Sequence, residues 1–361
     1  MGSTIFDADE DSLPVPDASA TFNPRIRRDA QRGGRGSRRG WLVLAVILIA
    51  AFFGLRMFSP AGDWDTASVL QDFFTLSISV VVESLPFVFL GILLSTVVQV
   101  WLPSGLLLRR LPRAPVLRRL VLSLLGVLFP VCECGNMPLA RGLMLRGLTV
   151  SDSVTFLLAA PILNPVTIIT TYQAFGWEDG ILVSRVLGGF VIANLVGAVV
   201  AAHPSPDRLL TPSFQAACDV AGHAHASVSR IRRSAGAFAE ETSAMLPALF
   251  VGSAIAGAIQ VGVHRDLLSS LGSNPLLSVV ALLVLAFVVS ICSNVDAFFV
   301  LSLGSTFMPG GIVAFLVFGP MIDIKMLSLM RTTYTARALV LITALVALCV
   351  IVLGLGVNLG A

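Results

Sequence analysis

Polar residues fill the first forty positions, and apolar residues dominate nearly everything after them. From Trp41 onward the chain falls into apolar runs of about twenty residues, the length that crosses a hydrocarbon core as a helix. Runs at about Trp41–Phe58, Val69–Trp101, Ser153–Phe175 and Ile181–Ala202 read as spans, and apolar sequence resumes after residue 235. The pattern predicts an all-α polytopic membrane protein. In two places the runs are broken. Cys132, Glu133 and Cys134 are followed by Gly135, Asn136 and Pro138, and a second interruption reads Pro161-Ile162-Leu163-Asn164-Pro165. Irregular backbone at membrane depth is tolerated only where protein buries it or where it lines a wet cavity. The breaks are therefore where a site is expected.

Past a polar stretch the same pattern restarts. Glu241 and Pro247 stand in a long apolar run as Glu83 and Pro86 do. Cys134-Gly135-Asn136 is echoed by Cys292-Ser293-Asn294, and Ala160-Pro161 with Asn164 by Gly319-Pro320 with Asp323. The echoes lie 158 and 159 positions apart, so one unit is duplicated. The expected organisation is a disordered cytoplasmic tail (1–40), an N-terminal membrane helix with the first repeat (41–202), a cytoplasmic linker (203–235) and a second repeat (236–361). That makes about 7–9 membrane segments, several of them broken or re-entrant.

Arginine placement orients the two units. Seven arginines between Arg25 and Arg39 precede the first span, and the loop Leu102–Arg119 holds five arginines and no acid. The positive-inside tendency makes both cytoplasmic, in a multi-pass plasma-membrane protein whose N-terminus lies inside. The first cluster is also suited to anionic lipid headgroups. If Leu120–Leu148 crossed fully, Glu178 and Asp179 would be cytoplasmic and Arg230, Arg232 and Arg233 external. If Leu120–Val131 and Met137–Leu148 instead form a re-entrant hairpin, every loop obeys the rule. Each arm of about twelve residues then reaches ~18 Å, roughly half a bilayer. The two units become antiparallel, the inverted-repeat arrangement in which broken helices meet near the midplane.

Composition narrows the function classes. With 56% hydrophobic residues, 12% charged and a mean hydropathy of +0.89, this is not the composition of a soluble core protein. A formal net charge of +3 carried by loop arginines does not read as a nucleic-acid surface. The sequence has no GxxxxGK[ST] phosphate loop. Five cysteines, two of them as Cys132-x-Cys134, make no secreted disulfide framework. His203, His223 and His225 lie in an Ala/Gly/Ser-rich linker and read as loop residues, not as a metal site. No cofactor and no resident metal are expected, and the chain is not read as an enzyme.

The chemistry concentrates at the breaks. Thiolates are soft ligands, suited to trivalent arsenic or monovalent copper, although a cysteine in a membrane helix is also a small packable hydrophobe. Cys132 and Cys134, about 200° apart on a regular helix, can share a cavity only if Gly135 and Pro138 unwind the backbone. With Cys292, Gly135, Asn136, Asn164 and Asn294 they form the candidate substrate-binding set, the asparagines serving as amide contacts or as helix caps. Glu133, Asp296, Asp323 and Lys325 are ionisable groups at bilayer depth, candidates for proton coupling or for structural pairing. Lys325 can also snorkel toward the cytoplasmic face. Glu83 and Glu241 are weaker candidates, the latter near the interface at the start of a span.

Together, PVCECGNMP, its spacing to AAPILNP, and the later CSNVDAFF and FGPMIDIK resemble the predicted-permease family that includes the methylarsenite efflux permease, over about Phe73–Tyr334. The resemblance implies secondary transport of a small solute, with trivalent organoarsenicals as one substrate class. The reading is thus an efflux permease with a midplane site at the CECGN and CSN breaks, compatible with a homo-oligomer. Two alternatives stay open: a membrane thiol redox protein using Cys132 and Cys134, and a non-conducting partner of another transport complex.

Overall fold

The computed structural model describes residues 66–102, 111–128, 131–177, 179–223, 229–262, 274–304 and 306–360. The expected tail, the first span Trp41–Phe58, Glu178, His225 and residues 103–110 of the arginine-bearing loop lie outside the described residues. Among the described residues the chain is helical, with a single isolated β-bridge and no strand.

The first unit opens with α1 (Thr66–Val100), which runs through Pro86 without ending. Then come two short helices, α2 (Pro115–Ser123) and α3 (Leu125–Leu128), a non-helical step at Val131–Cys132, and α4 (Glu133–Leu145). Next are α5 (Val150–Ala159), α6 (Pro165–Phe175) and α7 (Ile181–Ala201). A 3-10 turn (Pro206–Leu209) and α8 (Pro212–His223) follow. The second unit repeats the order: α9 (Arg230–Gly262), α10 (Pro275–Val289), a break, α11 (Asp296–Leu301), α12 (Pro309–Met321), α13 (Ile324–Met330) and α14 (Ala336–Gly360).

Local chemistry explains why the echoes recur where they do. Asn164 caps α6, its Oδ1 accepting from the Val166 N–H, with Pro165 in the first turn where a missing N–H costs nothing. Asp323 caps α13 in the same way, its Oδ1 accepting from the Met326 N–H at 2.5 Å. The Pro-and-amide motif is thus the signal for ending one buried helix and starting another at depth.

Among the described residues, five helices are long and apolar enough to cross a membrane: α1, α7, α9, the α12–α13 run and α14. α5 is buried throughout, as is α12 from Gly310 onward; they form the centre. The outer helices present apolar side chains outward, including Phe74 and Val82 on α1, Leu187 and Val191 on α7, and Val352 on α14. Helices apolar on both faces suit lipid on the outside and protein within.

The arms of the first hairpin leave and return at one end. Arg118 on α2 meets Asp152 at the start of α5 (Nε–Oδ2 2.7 Å). Arg146, just past α4, donates to the carbonyls of Val98 (3.2 Å) and Gln99 at the end of α1. This is the Arg146 end. The second hairpin opens at the other, the Asp179 end, where the Met308 N–H donates to Ser278 Oγ (3.1 Å) and Asn358 ties α14 to Gly310 and Pro275. The units are inverted relative to each other, as the re-entrant hairpin reading predicts. Residues 206–223 pack at the Arg146 end, where the Thr211 N–H donates to Thr333 O and the Thr335 N–H to Leu209 O, both 2.8 Å.

α1 and α4 touch backbone to backbone. A Cβ on Gly91 would stand 2.1 Å from Gly135 O, and one on Gly135 would stand 2.4 Å from Phe87 O and 2.2 Å from Val131 Cγ1. Only glycine allows this approach.

Candidate functional site

The breaks of both units meet in one place. α4 starts at Glu133, and its N-cap, Cys132, is extended (φ −70°, ψ 173°). The step that frees the two thiols from helical spacing therefore lies at Val131–Cys132. Gly135 and Pro138 were expected to unwind the backbone, but both sit inside α4, and the role of Gly135 is contact with α1. With Cys132 off the helix, the ligand atoms of Cys132, Glu133 and Cys134 lie within 4.8 Å of one another. The Cys132 thiol lies beside those of both Cys134 and Cys292. Three thiols from two repeats converge. All three residues are buried.

Glu133 is the hub of this cluster. Its Oε1 accepts from Lys325 Nζ at 3.3 Å, while its Oε2 accepts from Ser293 Oγ at 3.3 Å and from the Cys292 thiol at 4.0 Å. Lys325 is 1% exposed and does not snorkel; it also donates to Ser290 O (3.3 Å) and lies 4.0 Å from Asp323 Oδ2. Ser290 ends α10 in the left-handed region (φ 52°, ψ 42°), the only non-glycine residue there among those described. Such backbone costs of order 1–3 kcal/mol and persists where its surroundings impose it. Here the turn it makes presents its carbonyl to Lys325.

Asn136 and Asn164 both donate to Val131 O, at 3.5 and 3.2 Å. Together they hold the carbonyl left free by the first break, the capping role weighed against substrate contact. Asn136 Oδ1 and Asn294 Oδ1 are buried with no hydrogen-bond partner, and Asp323 Oδ2 is buried with only its 4.0 Å approach to Lys325. Groups of this kind at a site are open to a ligand.

Asp296, one of the ionisable groups read as candidates for proton coupling or structural pairing, pairs with Arg185 on α7, through contacts of 3.0 and 2.5 Å. Glu241 was expected near an interface at the start of a span. It is instead 3% exposed on α9 and accepts from Arg141 Nε at 3.0 Å. Arg141 also donates to Thr333 Oγ1 (2.8 Å) and stacks over Phe214 (4.4 Å). Glu83 lies midway along α1 and is exposed. Arg185, Ser290 and Ser293 were missed altogether. Arg185 carries a readable signal: a cation alone inside an apolar span needs a buried anion. Cys218 and Cys349 lie elsewhere, on α8 and α14, and burial pushes the Cys218 thiol up from its ordinary value.

The site is not symmetric, although the fold is. In repeat register, the counterpart of Glu133 is Ile291 and that of Lys325 is Val166. Each unit supplies one of the two charges and an aliphatic residue at the other's position.

Comparison with known proteins covers nearly all of the described chain. Residues 69–359 match the model of a family described as predicted permease. The chain is 34% identical to UPF0718 protein YcgR of Bacillus subtilis over 283 residues, 77% of this chain and 94% of that one. It is 31% identical to a protein of Streptococcus mutans named as a two-component membrane permease complex subunit, over 75% of this chain and 89% of that one. UPF0718 protein YraQ of Escherichia coli is 30% identical over a shorter stretch, 31% of this chain and 32% of that one. No solved structure matches the chain.

Proposed function

The chain belongs to the predicted permease family, and from that premise we propose that it exports a small thiophilic solute, a trivalent organoarsenical, through the midplane thiol site. The observation that carries this reading is the convergence of Cys132, Cys134 and Cys292 around Glu133 where the breaks of the two repeats meet.

Charge separates the candidate soft substrates. A soft monovalent cation held by three thiolates leaves a dianion, and the one nearby ammonium, Lys325, is already engaged by Glu133. Uncompensated charge is costly at this depth. A monoorganic arsenic(III) dihydroxide behaves differently. It condenses with two thiols, forming two As–S bonds, breaking two As–O bonds and releasing two waters, and the adduct is neutral. The third thiol lets the arsenic move on by exchange, one As–S bond forming as another breaks. Thiolates are the attacking species, so a proton acceptor beside them is useful, and Glu133 touches Cys292 directly. Glu133 and Asp323 are the groups proposed to carry the coupled proton, with Lys325 compensating whichever is ionised. The Arg146 end is assigned to the cytoplasm by its arginines.

Accumulation in everted vesicles, with and without a proton gradient, tests this. The wild type should accumulate a trivalent organoarsenical only with the gradient. The triple change Cys132→Ser, Cys134→Ser, Cys292→Ser should abolish handling of that substrate, since serine offers a harder and far less acidic oxygen. Glu133→Gln or Asp323→Asn should lose uphill movement while keeping downhill exchange. Full activity of the triple serine variant would leave the asparagines and free backbone groups as the contacts. A second reading, that the chain works only beside another component, draws on the name of the Streptococcus mutans relative, and co-purification from the native membrane tests it.

A further inference from the structure

Outside the thiol site the membrane region holds two other buried ion pairs among the described residues, and both join one repeat to the other. Arg141 on α4 binds Glu241 on α9, with side chains 10% and 4% exposed. Arg185 on α7 binds Asp296 on α11, with side chains 1% and 2% exposed. Neither touches the thiols. We infer that these two pairs are the gates of the path through the thiol site, one closing the Arg146 end and the other the Asp179 end.

Their positions along the path carry the inference. α4 leaves the site at Glu133 and runs toward the Arg146 end; Arg141 lies two turns along it, about 12 Å away. There it is clamped by Glu241, by Thr333 Oγ1 and Thr332 O, and by the ring of Phe214. Every one of these partners comes from beyond the first repeat. Asp296 opens α11 four positions after Cys292 and lies on the other side of the site. Its partner Arg185 also donates to Thr171 on α6 (2.7 Å), so this clamp is built from the first repeat. Each hairpin's return arm is thus held by the opposite unit. The two holds face opposite ends.

The Asp179 end shows what such a gate closes. A cavity of about 450 Å³ enters there, lined by Phe175, Asp179, Ile181, Leu301, Pro309 and Ile312. Ile181 lies one turn from Arg185 on α7, and Leu301 a little more than one turn from Asp296 on α11. The pair therefore stands between the cavity and the thiols.

Ion pairs suit this task. A buried pair contributes little net stability compared with apolar packing of the same volume. Separating it toward water returns hydration to both charges, whereas opening an apolar plug exposes surface that water disfavours. A path closed by two such pairs can open at either end by shifting a two-state balance. Both are formed here, so the structure is the occluded state.

The inference rests on the permease reading, but its test needs no substrate. In the full-length protein carrying Cys218→Ser and Cys349→Ser, the site thiols are the remaining cysteines. An impermeant maleimide is applied to right-side-out and to everted vesicles. With both pairs intact, modification should be slow from either side. Arg185→Ala and Asp296→Asn should speed it about tenfold or more from the Asp179 side alone, and Arg141→Ala and Glu241→Gln from the Arg146 side alone. The isosteric Asn and Gln variants keep the packing if the alanine variants do not fold, and gel filtration identifies which are folded. Unchanged protection in the folded variants, or acceleration from the same side for both pairs, overturns the gates. Transport with unchanged protection would overturn them while leaving the permease reading intact. Sided acceleration without arsenical transport would do the reverse.

Discussion

Lys325 Nζ lies 3.3 Å from Glu133 Oε1 although the two residues are 192 positions apart and belong to different repeats. Both are 1% exposed, so neither charge reaches solvent to offset the loss of the other. Removing one partner of a buried pair typically costs about 3–5 kcal/mol, because the survivor stays buried and uncompensated. Lys325→Met should therefore lower the melting temperature in detergent sharply. The double change Glu133→Gln, Lys325→Met should recover part of the loss, with a coupling on the order of 0.5–3 kcal/mol. Additive losses would mean that the two side chains do not act as a pair.

The hairpin makes a topological prediction. Cysteines placed as Arg146→Cys and Asp179→Cys, in a background lacking Cys218 and Cys349, should label with an impermeant reagent from opposite sides of the membrane. Position 146 should react from the cytoplasm and position 179 from outside. The reverse sidedness would show that the charge rule, not the fold, has been misapplied.

At the α1–α4 contact, Gly91→Ala and Gly135→Ala should each destabilise the protein, by about 1–3 kcal/mol as overpacking does. A Cβ at Gly91 meets backbone at 2.1 Å, and backbone cannot swing aside as a side chain can. Thermal melts of the two variants check this. Gly135→Leu should also abolish transport. Wild-type stability in both alanine variants would mean that the helices stand further apart than described.

Ser290 separates backbone strain from side-chain chemistry. Ser290→Gly keeps the left-handed turn and the carbonyl that receives Lys325, so stability should hold or rise slightly. A β-branched Ser290→Val should lose of order 1–3 kcal/mol, since its side chain strongly disfavours this backbone region. Equal melting temperatures for the two would remove the conformational argument.

Much of the site was legible because the sequence states it twice. Cys134 and Cys292, and Asn164 and Asp323, mark equivalent helix breaks, so pattern alone brought Glu133, Asp323 and Lys325 to one neighbourhood. The convergence of the thiols was not legible. It depends on one extended residue, Cys132, and nothing in the string fixes where backbone leaves the helix. The outer pairs were hidden for another reason: Arg141 and Glu241 are 100 positions apart, and Arg185 and Asp296 are 111. A lone charge in an apolar run announces that it has a partner but not which one. The role given to Gly135 failed on the same ground, since a glycine reads alike whether it bends a chain or admits a neighbour.

The unequal division of charge between the repeats limits how the protein can be assembled. Two copies of the first half, joined about the same axis, would set carboxylate opposite carboxylate at Glu133 with only Val166 where the ammonium belongs. Two copies of the second would set ammonium opposite ammonium, with Ile291 in place of the anion. In the first case no ammonium stands beside the carboxylates; in the second each Lys325 keeps only Asp323, 4.0 Å away, and loses the closer Glu133. Split between α7 and α9 and produced as separate polypeptides, the halves can satisfy each other only as a mixed couple, one of each. The fold has the outline of a homodimer, but its stoichiometry is that of an obligate heterodimer carried on one chain.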